Sequence, residues 1–204
     1  MRHGHAETLF PMIERVMNEA GLTPAQLDAV AVAIGPGGFT GIRVGLAAAH
    51  GIALAVGARL VGITSFRAVA AGVAGIADSG CEALLVALDS RRADLYVQLF
   101  AGDAASPLGA PQAVLADRLH DYVADFAKGA RLLIAGDAAE SAAAALDGRV
   151  PFVVARDSAP DAQGVAAAAL VELHSGAIAD PVRPFYLRPP DVTLPKRPIA
   201  ASSR

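Results

Sequence analysis

Apolar side chains recur at helical spacing over residues 7–20, where Leu9, Met12, Ile13, Val16, Met17 and Ala20 follow one another three or four apart or as neighbours on one face. The pattern predicts a helix there, stopped by Gly21, with Pro11 compatible only inside its first turn. Thr23 and Pro24 open a short turn with room for one helical turn before Asp28. Every side chain over 29–34 is apolar, as in a buried parallel strand. Residues 42–56 are amphipathic and predict a second helix, with Thr40 as its N-cap. A strand over 59–63 and a helix over 65–74 complete this half.

The second half opens with a hairpin, strands over 83–88 and 95–100 joined by the polar stretch Asp89-Ser90-Arg91-Arg92-Ala93-Asp94. A short strand follows over 112–115. Helices over 116–127, 138–146 and 162–175 then alternate with strands over 131–135 and 150–155. The first half reads helix, strand, helix, strand, helix. The second reads the same with three strands in front, which is a repeat of structure rather than of sequence. The expected organisation is α/β with two related lobes, 1–78 and 79–176, the second of them βββαβαβα. The proline-rich tail 177–204 is expected to run over the surface.

Composition narrows the function. Of the 204 residues, 54% are hydrophobic and 18% charged, enough for a sizeable core and too little charge for a disordered chain. A net charge of −3 argues against a protein that holds RNA alone through a basic face. The basic residues Arg183, Arg188, Lys196, Arg197 and Arg204 in the tail fit a solvated terminus as well as RNA contact. The single cysteine, Cys81, rules out an internal disulfide and fits a reducing cytoplasm, where the chain is expected to reside. The longest apolar region, 44–63, holds His50, Arg59 and several glycines, so a buried helix followed by a strand explains it better than a membrane span.

The candidate chemistry centres on Gly35, Pro36, Gly37, Gly38, Phe39, Thr40 and Gly41, between the 29–34 strand and the 42–56 helix. Strand, glycine turn and helix gather backbone N–H groups at a helix N-terminus, which can hold an anion. The loop matches neither a Walker A sequence nor GxGxxG, and no lysine follows its glycines. A tight turn using positive φ is the competing account. Gly41, Gly45, Ala48 and Ala49 suit close packing of another helix on the second one. His3 and His5 have no nearby third ligand, and His50, His120 and His174 stand alone. Asp89, Arg91, Arg92 and Asp94 read as a solvated hairpin turn rather than a charged site. No nucleophile has a base at motif spacing, and Cys81 reads as inert.

The wording of several segments resembles one family. Gly35-Pro36-Gly37-Gly38-Phe39-Thr40-Gly41-Ile42-Arg43-Val44-Gly45 resembles the GPGSFTGIRVGLA loop of the TsaB (YeaZ) family, with Gly38 where serine is usual. The start, from Gly4 to Ile13, looks like that family's first helix. The hairpin Asp89-Ser90-Arg91-Arg92-Ala93-Asp94-Leu95-Tyr96 is similar to its DARRGEVY, and Pro184-Phe185-Tyr186-Leu187-Arg188 to its C-terminal PxYLR. The resemblance implies an actin-like ATPase (ribonuclease H-like) fold. It implies a non-catalytic assembly subunit for the threonylcarbamoyl modification of the adenosine beside the tRNA anticodon. The implied partners are the paralogous metal-bearing transferase TsaD and the ATPase TsaE, with tRNA met only indirectly.

By the same resemblance the first two helices form a four-helix bundle with the partner, or with a second copy in a homodimer. The mapped positions are Leu9, Ile13, Val16 and Met17 on one helix, and Val44, Gly45, Ala48 and Ile52 on the other. No cofactor is expected on this chain alone, a nucleotide being possible only at a partner interface; no membrane is implied. The family's front strands, with an Ile-Asp-Thr type sequence, do not occur before His3. Their lack implies either an upstream start or a strand recruited from elsewhere, and an open edge at the 29–34 strand. The alternative function is an enzyme, an actin-like phosphotransferase or a metallopeptidase-like protein.

Overall fold

The computed structural model describes residues 5–73, 80–175 and 181–188. Its elements alternate as the hydrophobic pattern dictates, and they form two sheets of unequal size. The first holds β1 (Ala29–Gly35) and β2 (Arg59–Thr64), paired in parallel with Ala29 opposite Arg59 and Ala33 opposite Ile63. Around it lie α1 (His5–Ala20), α2 (Phe39–Val56) and α3 (Ser65–Gly72), with a 3₁₀ turn at Pro24–Gln26 between α1 and β1. The parallel pairing follows from the α2 crossover, which carries the chain from the end of β1 back to the start of β2.

The second sheet has five strands. They are β3 (Ala83–Asp89), β4 (Asp94–Ala101), β5 (Gln112–Leu115), β6 (Leu132–Ala135) and β7 (Phe152–Val154), in spatial order β5-β4-β3-β6-β7. The β3–β4 hairpin is antiparallel, while β6 runs parallel to both β3 and β7. Helices α4 (Leu119–Ala127), α5 (Ala139–Leu146) and α6 (Ala162–Ser175) complete the lobe.

The period of two along β3 sends its side chains into two cores. Leu85 and Ala87 join Val97, Leu99, Leu119, Ile134 and Leu146 on the α4–α5 side. Leu84, Val86 and Leu88 join Phe100, Leu133 and, from α3, Phe66 and Val69 on the other. The second core therefore bonds the lobes together: α3 belongs to the first half of the chain and buries its apolar face on the second sheet. Against α3 lies α6, brought so close that a Cβ at Gly164 would strike the carbonyl of Ala68. Burying a large aliphatic side chain such as Leu84 or Leu85 contributes about 1.5–3 kcal/mol.

Two sequence expectations need correction. α1 begins at His5, close to the expected start at Glu7, so Pro11 lies beyond its first turn rather than inside it. Proline cannot donate to the carbonyl four residues back, so the helix forgoes one bond and continues. The N-cap of α2 is Gly38, in extended conformation with no side-chain capping bond, and Thr40 lies within the first turn. Within this chain no other helix crowds Gly45: a Cβ there would meet Val32 Cγ2 of β1, at an ordinary 3.8 Å. Residues 181–188 of the tail run along the surface as expected, with Val182, Phe185 and Leu187 half-buried against it.

Candidate functional site

α2 lies on the first sheet through Ile42, Leu46, Ala49 and Ala53, with Val32, Val30, Ile34 and Leu60 beneath it. It is long and apolar enough to cross a membrane by length and composition alone, yet it packs on this sheet. α1 packs along α2. The two helices leave large apolar side chains outward: Phe10 is 56% exposed, Val16 56% and Leu54 87%, with Met12 also exposed. Leu9, Ile13 and Met17 are half-buried, as are Val44, Gly45 and Ile52. Ala48 is buried. Of the eight positions mapped from the sequence, Val16 is the most open; Phe10, Met12 and Leu54 were missed. Leu54 was legible in principle as an apolar residue set to the side of the buried Leu46 and Ala53 stripe.

The glycine loop sits at the C-terminal end of β1. Gly35 has φ of +112°, followed by a cis peptide bond to Pro36, and both residues are buried. Gly37, Gly38, Phe39, Thr40 and Gly41 are exposed. Positive φ is thus needed at Gly35 alone of the loop's glycines.

What stands against the loop is the C-terminal segment. The Phe185 N–H donates to the Ile34 carbonyl at 2.8 Å, and the Phe185 carbonyl lies 2.7 Å from where a Cβ on Gly35 would be. Tyr186 stacks on Phe39 with ring centroids 6.0 Å apart. The Arg43 guanidinium lies 3.7 Å above the Phe39 ring, and its Nε donates to the Tyr186 hydroxyl at 3.1 Å. His50 Nε2 meets the Val182 carbonyl at 3.2 Å. Val182 covers Gly62 of β2, whose missing side chain makes room for it. Phe185 also lines a cavity of about 330 Å³ with Thr64, Arg67, Gln98 and Phe100.

The same segment reaches the other lobe. Arg188 Nη2 pairs at 2.8 Å with Asp94 Oδ2, and Asp94 is only 3% exposed. Asp94 Oδ1 faces the Ser90 hydroxyl at 3.3 Å, and Ser90 Oγ also donates to the Asp94 carbonyl. The hairpin is therefore not the solvated turn expected from sequence, since Asp94 is a buried carboxylate with a charged partner. Asp89 and Arg91 do stay near the surface: Asp89 accepts from the Arg91 N–H at 2.7 Å, and its own N–H donates to Asp137 Oδ1 at 2.9 Å. Elsewhere, the hydroxyl and backbone of Ser106 and the backbone of Ala105 hold Asp103 below the usual carboxylate range. Burial pushes the Tyr122 phenol up to about 12.

Among the described residues no three His, Cys, Asp or Glu side chains gather as a metal site would require. His3 lies outside the described residues. Cys81 is buried.

A family model described as TsaD, tRNA N6-adenosine threonylcarbamoyltransferase, matches residues 1–105. An uncharacterized protein of Mycobacterium tuberculosis is 35% identical over 187 residues, which cover 92% of this chain and 76% of its own. The tRNA threonylcarbamoyladenosine biosynthesis protein TsaB of Escherichia coli is 29% identical over 92 residues, 45% of this chain; the match spans 39% of that relative's length. A crystal structure of a Pseudomonas aeruginosa protein described as similar to peptidase YEAZ superposes with a TM-score of 0.75 at 23% identity, covering 92% of this chain and 86% of that one. YeaZ from the same organism superposes with a TM-score of 0.74 at 24% identity, over 90% and 84% of the two chains. The fold is thus the actin-like, ribonuclease H-like α/β arrangement that the resemblance implied. With the glycine loop, the hairpin and the C-terminal PFYLR segment all in place on that fold, the chain belongs to the TsaB (YeaZ) family.

Proposed function

We propose that this chain is a non-catalytic assembly subunit in the biosynthesis of threonylcarbamoyladenosine, the modification beside the tRNA anticodon. Its work is to dock a TsaD-type transferase paralogue, with a TsaE-type ATPase joining the pair and tRNA reached only through them. The same face can pair two copies of the chain when the paralogue is absent. The setting is the cytoplasm, and any nucleotide is held at a partner interface rather than by this chain alone.

The observation that carries this reading is the outward apolar surface of α1 and α2. Phe10, Met12, Val16 and Leu54 are large apolar side chains left open on two adjacent helices. Helix faces of this kind gain most by docking onto another helix pair, where exposed area is removed from water. The E. coli relative, a tRNA threonylcarbamoyladenosine biosynthesis protein, and the matching transferase family model support threonylcarbamoyladenosine as the product.

The test is reconstitution. The chain, the TsaD-type paralogue, the TsaE-type ATPase, threonylcarbamoyl-adenylate and tRNA together should give modified tRNA, and leaving out this chain should abolish most of it. The chain with threonylcarbamoyl-adenylate and tRNA alone should leave the tRNA at the level of a no-protein control. Product from the chain alone, or full activity without it, overturns the reading.

A further inference from the structure

The two sheets end alike. β1 and β6 occupy matching places in the strand–helix repeat, and the residues that follow them, Gly35 and Gly136, share a φ of +112°. In each case a chain passes where a side chain would stand. At Gly136 it is β3, whose Ala87 carbonyl fills the Cβ position and accepts from the Ala138 N–H at 3.2 Å. At Gly35 it is Phe185, a residue 150 positions further along the chain.

Around β6 the neighbour is a full strand, paired over Ala83 to Val86. At β1 it is a short segment held by one backbone bond, from the Phe185 N–H to the Ile34 carbonyl. Side chains supply the rest of its grip. Val182 sits among Val32, Ile42, Leu46 and Ala49. Phe185 and Leu187 sit against the second core, beside Phe66 and Leu84. Tyr186 joins Phe39 and Arg43, and Arg188 reaches Asp94 in the other lobe. An interaction of a few side chains and one backbone bond is much weaker than a strand pairing, and segments of this kind open locally before the rest of a molecule does.

We propose that residues 182–188 are a detachable strap which caps the C-terminal end of β1 and clamps the glycine loop in its present shape. The strap ties three things together: the C-terminal end of β1, the N-terminal end of α2 through Phe39 and Arg43, and the β3–β4 hairpin through Asp94. Its release frees the Gly35–Pro36–Gly37–Gly38 loop without unfolding the second sheet. The strap thereby makes the shape of the loop at the start of α2 depend on the state of a hairpin in the opposite lobe.

The test is amide hydrogen exchange on three forms of the protein: the full chain, the full chain carrying Tyr186→Ala and Arg188→Ala together, and a chain ending at Asp180. In the two altered forms, exchange in peptides covering 35–43 should rise at least tenfold, while peptides from β3 and β6 keep their protection. Unchanged exchange over 35–43 in the chain ending at Asp180 overturns the proposal, because that form has no strap to hold the loop. Equal loss of protection in both sheets, or a chain that no longer folds without the strap, overturns it as well, since the segment is then part of the core. In the doubly substituted chain, protection retained over 35–43 while the amides of 185–188 exchange freely also counts against it.

Discussion

The first sheet is two strands with half-buried side chains; the second is five strands, with β3 buried along nearly its whole length. Both come from the same alternation of apolar strand and helix. They differ in what covers the strand next to the crossover. β6 has a strand on either side, whereas β1 pairs with β2 alone and meets the Phe185 backbone near its C-terminal end through one bond. Tight strand-to-strand cover makes the second sheet intolerant of change, and the strap makes the first adjustable. The proposed docking role would benefit from that division: a fixed body, and beside it a helix pair with apolar side chains open.

The sharpest way to break this comparison is to put the same methyl group on both matching glycines. Gly136→Ala forces a Cβ into the Ala87 backbone at positive φ, and should cost about 3–5 kcal/mol in chemical denaturation as strain and overpacking add. Gly35→Ala meets Phe185 and the tip of Ile42, both able to move, and should cost about 1–3 kcal/mol. Equal costs would remove the distinction between strand and strap.

Core truncation gives a second contrast. Leu85→Ala, in a fully buried position of β3, should lower stability by about 2–5 kcal/mol. Val30→Ala in β1, half-buried, should cost about 1 kcal/mol, read from the same denaturant midpoints. A third contrast concerns the tie between lobes. Arg188→Ala leaves Asp94 buried without its charged partner and should cost about 1–3 kcal/mol. The Arg188→Ala, Asp94→Asn double variant should recover part of that loss.

Much of this was legible in the sequence, and the physical reason differs from element to element. The hairpin and the short strand at Gln112–Leu115 were readable because local alternation and a polar turn carry their own signal. The helices over 119–127, 139–146 and 162–175 followed from periodicity. The strap was not readable, because its contacts join residues far apart in the chain: Val182 with Gly62, Phe185 with Ile34, Arg188 with Asp94. Nothing local to 181–188 announces a buried partner. Similarly, Asp94 looked like one more polar turn residue, and only tertiary packing shows it buried. The docking face was half legible. Periodicity found the apolar stripes of α1 and α2, but which side of α2 lies on the sheet depends on how the helix sits on β1. That is why the stripe mapped from the sequence includes the buried Ala48 and omits the exposed Leu54.

The smallest effect belongs to the second sheet alone. The Tyr122 phenol is raised to about 12 by burial, against about 10 in an unfolded chain. The folded state therefore holds its proton longer than the unfolded one. Its contribution is fully present below pH 10 and is lost as the pH climbs through about 12. Tyr122→Phe should flatten that part of the stability profile and leave neutral pH unaffected by it.

The most direct measurement of the central claim is hydrogen exchange on the complex with the TsaD-type paralogue, compared with the chain alone. The account predicts new protection on α1 and α2, centred on peptides holding Phe10, Val16 and Leu54. It further predicts that Leu54→Asp weakens the complex at least tenfold while shifting the melting temperature little, as expected for a residue 87% exposed. New protection confined to the second sheet, or an unchanged affinity with Leu54→Asp, would contradict it.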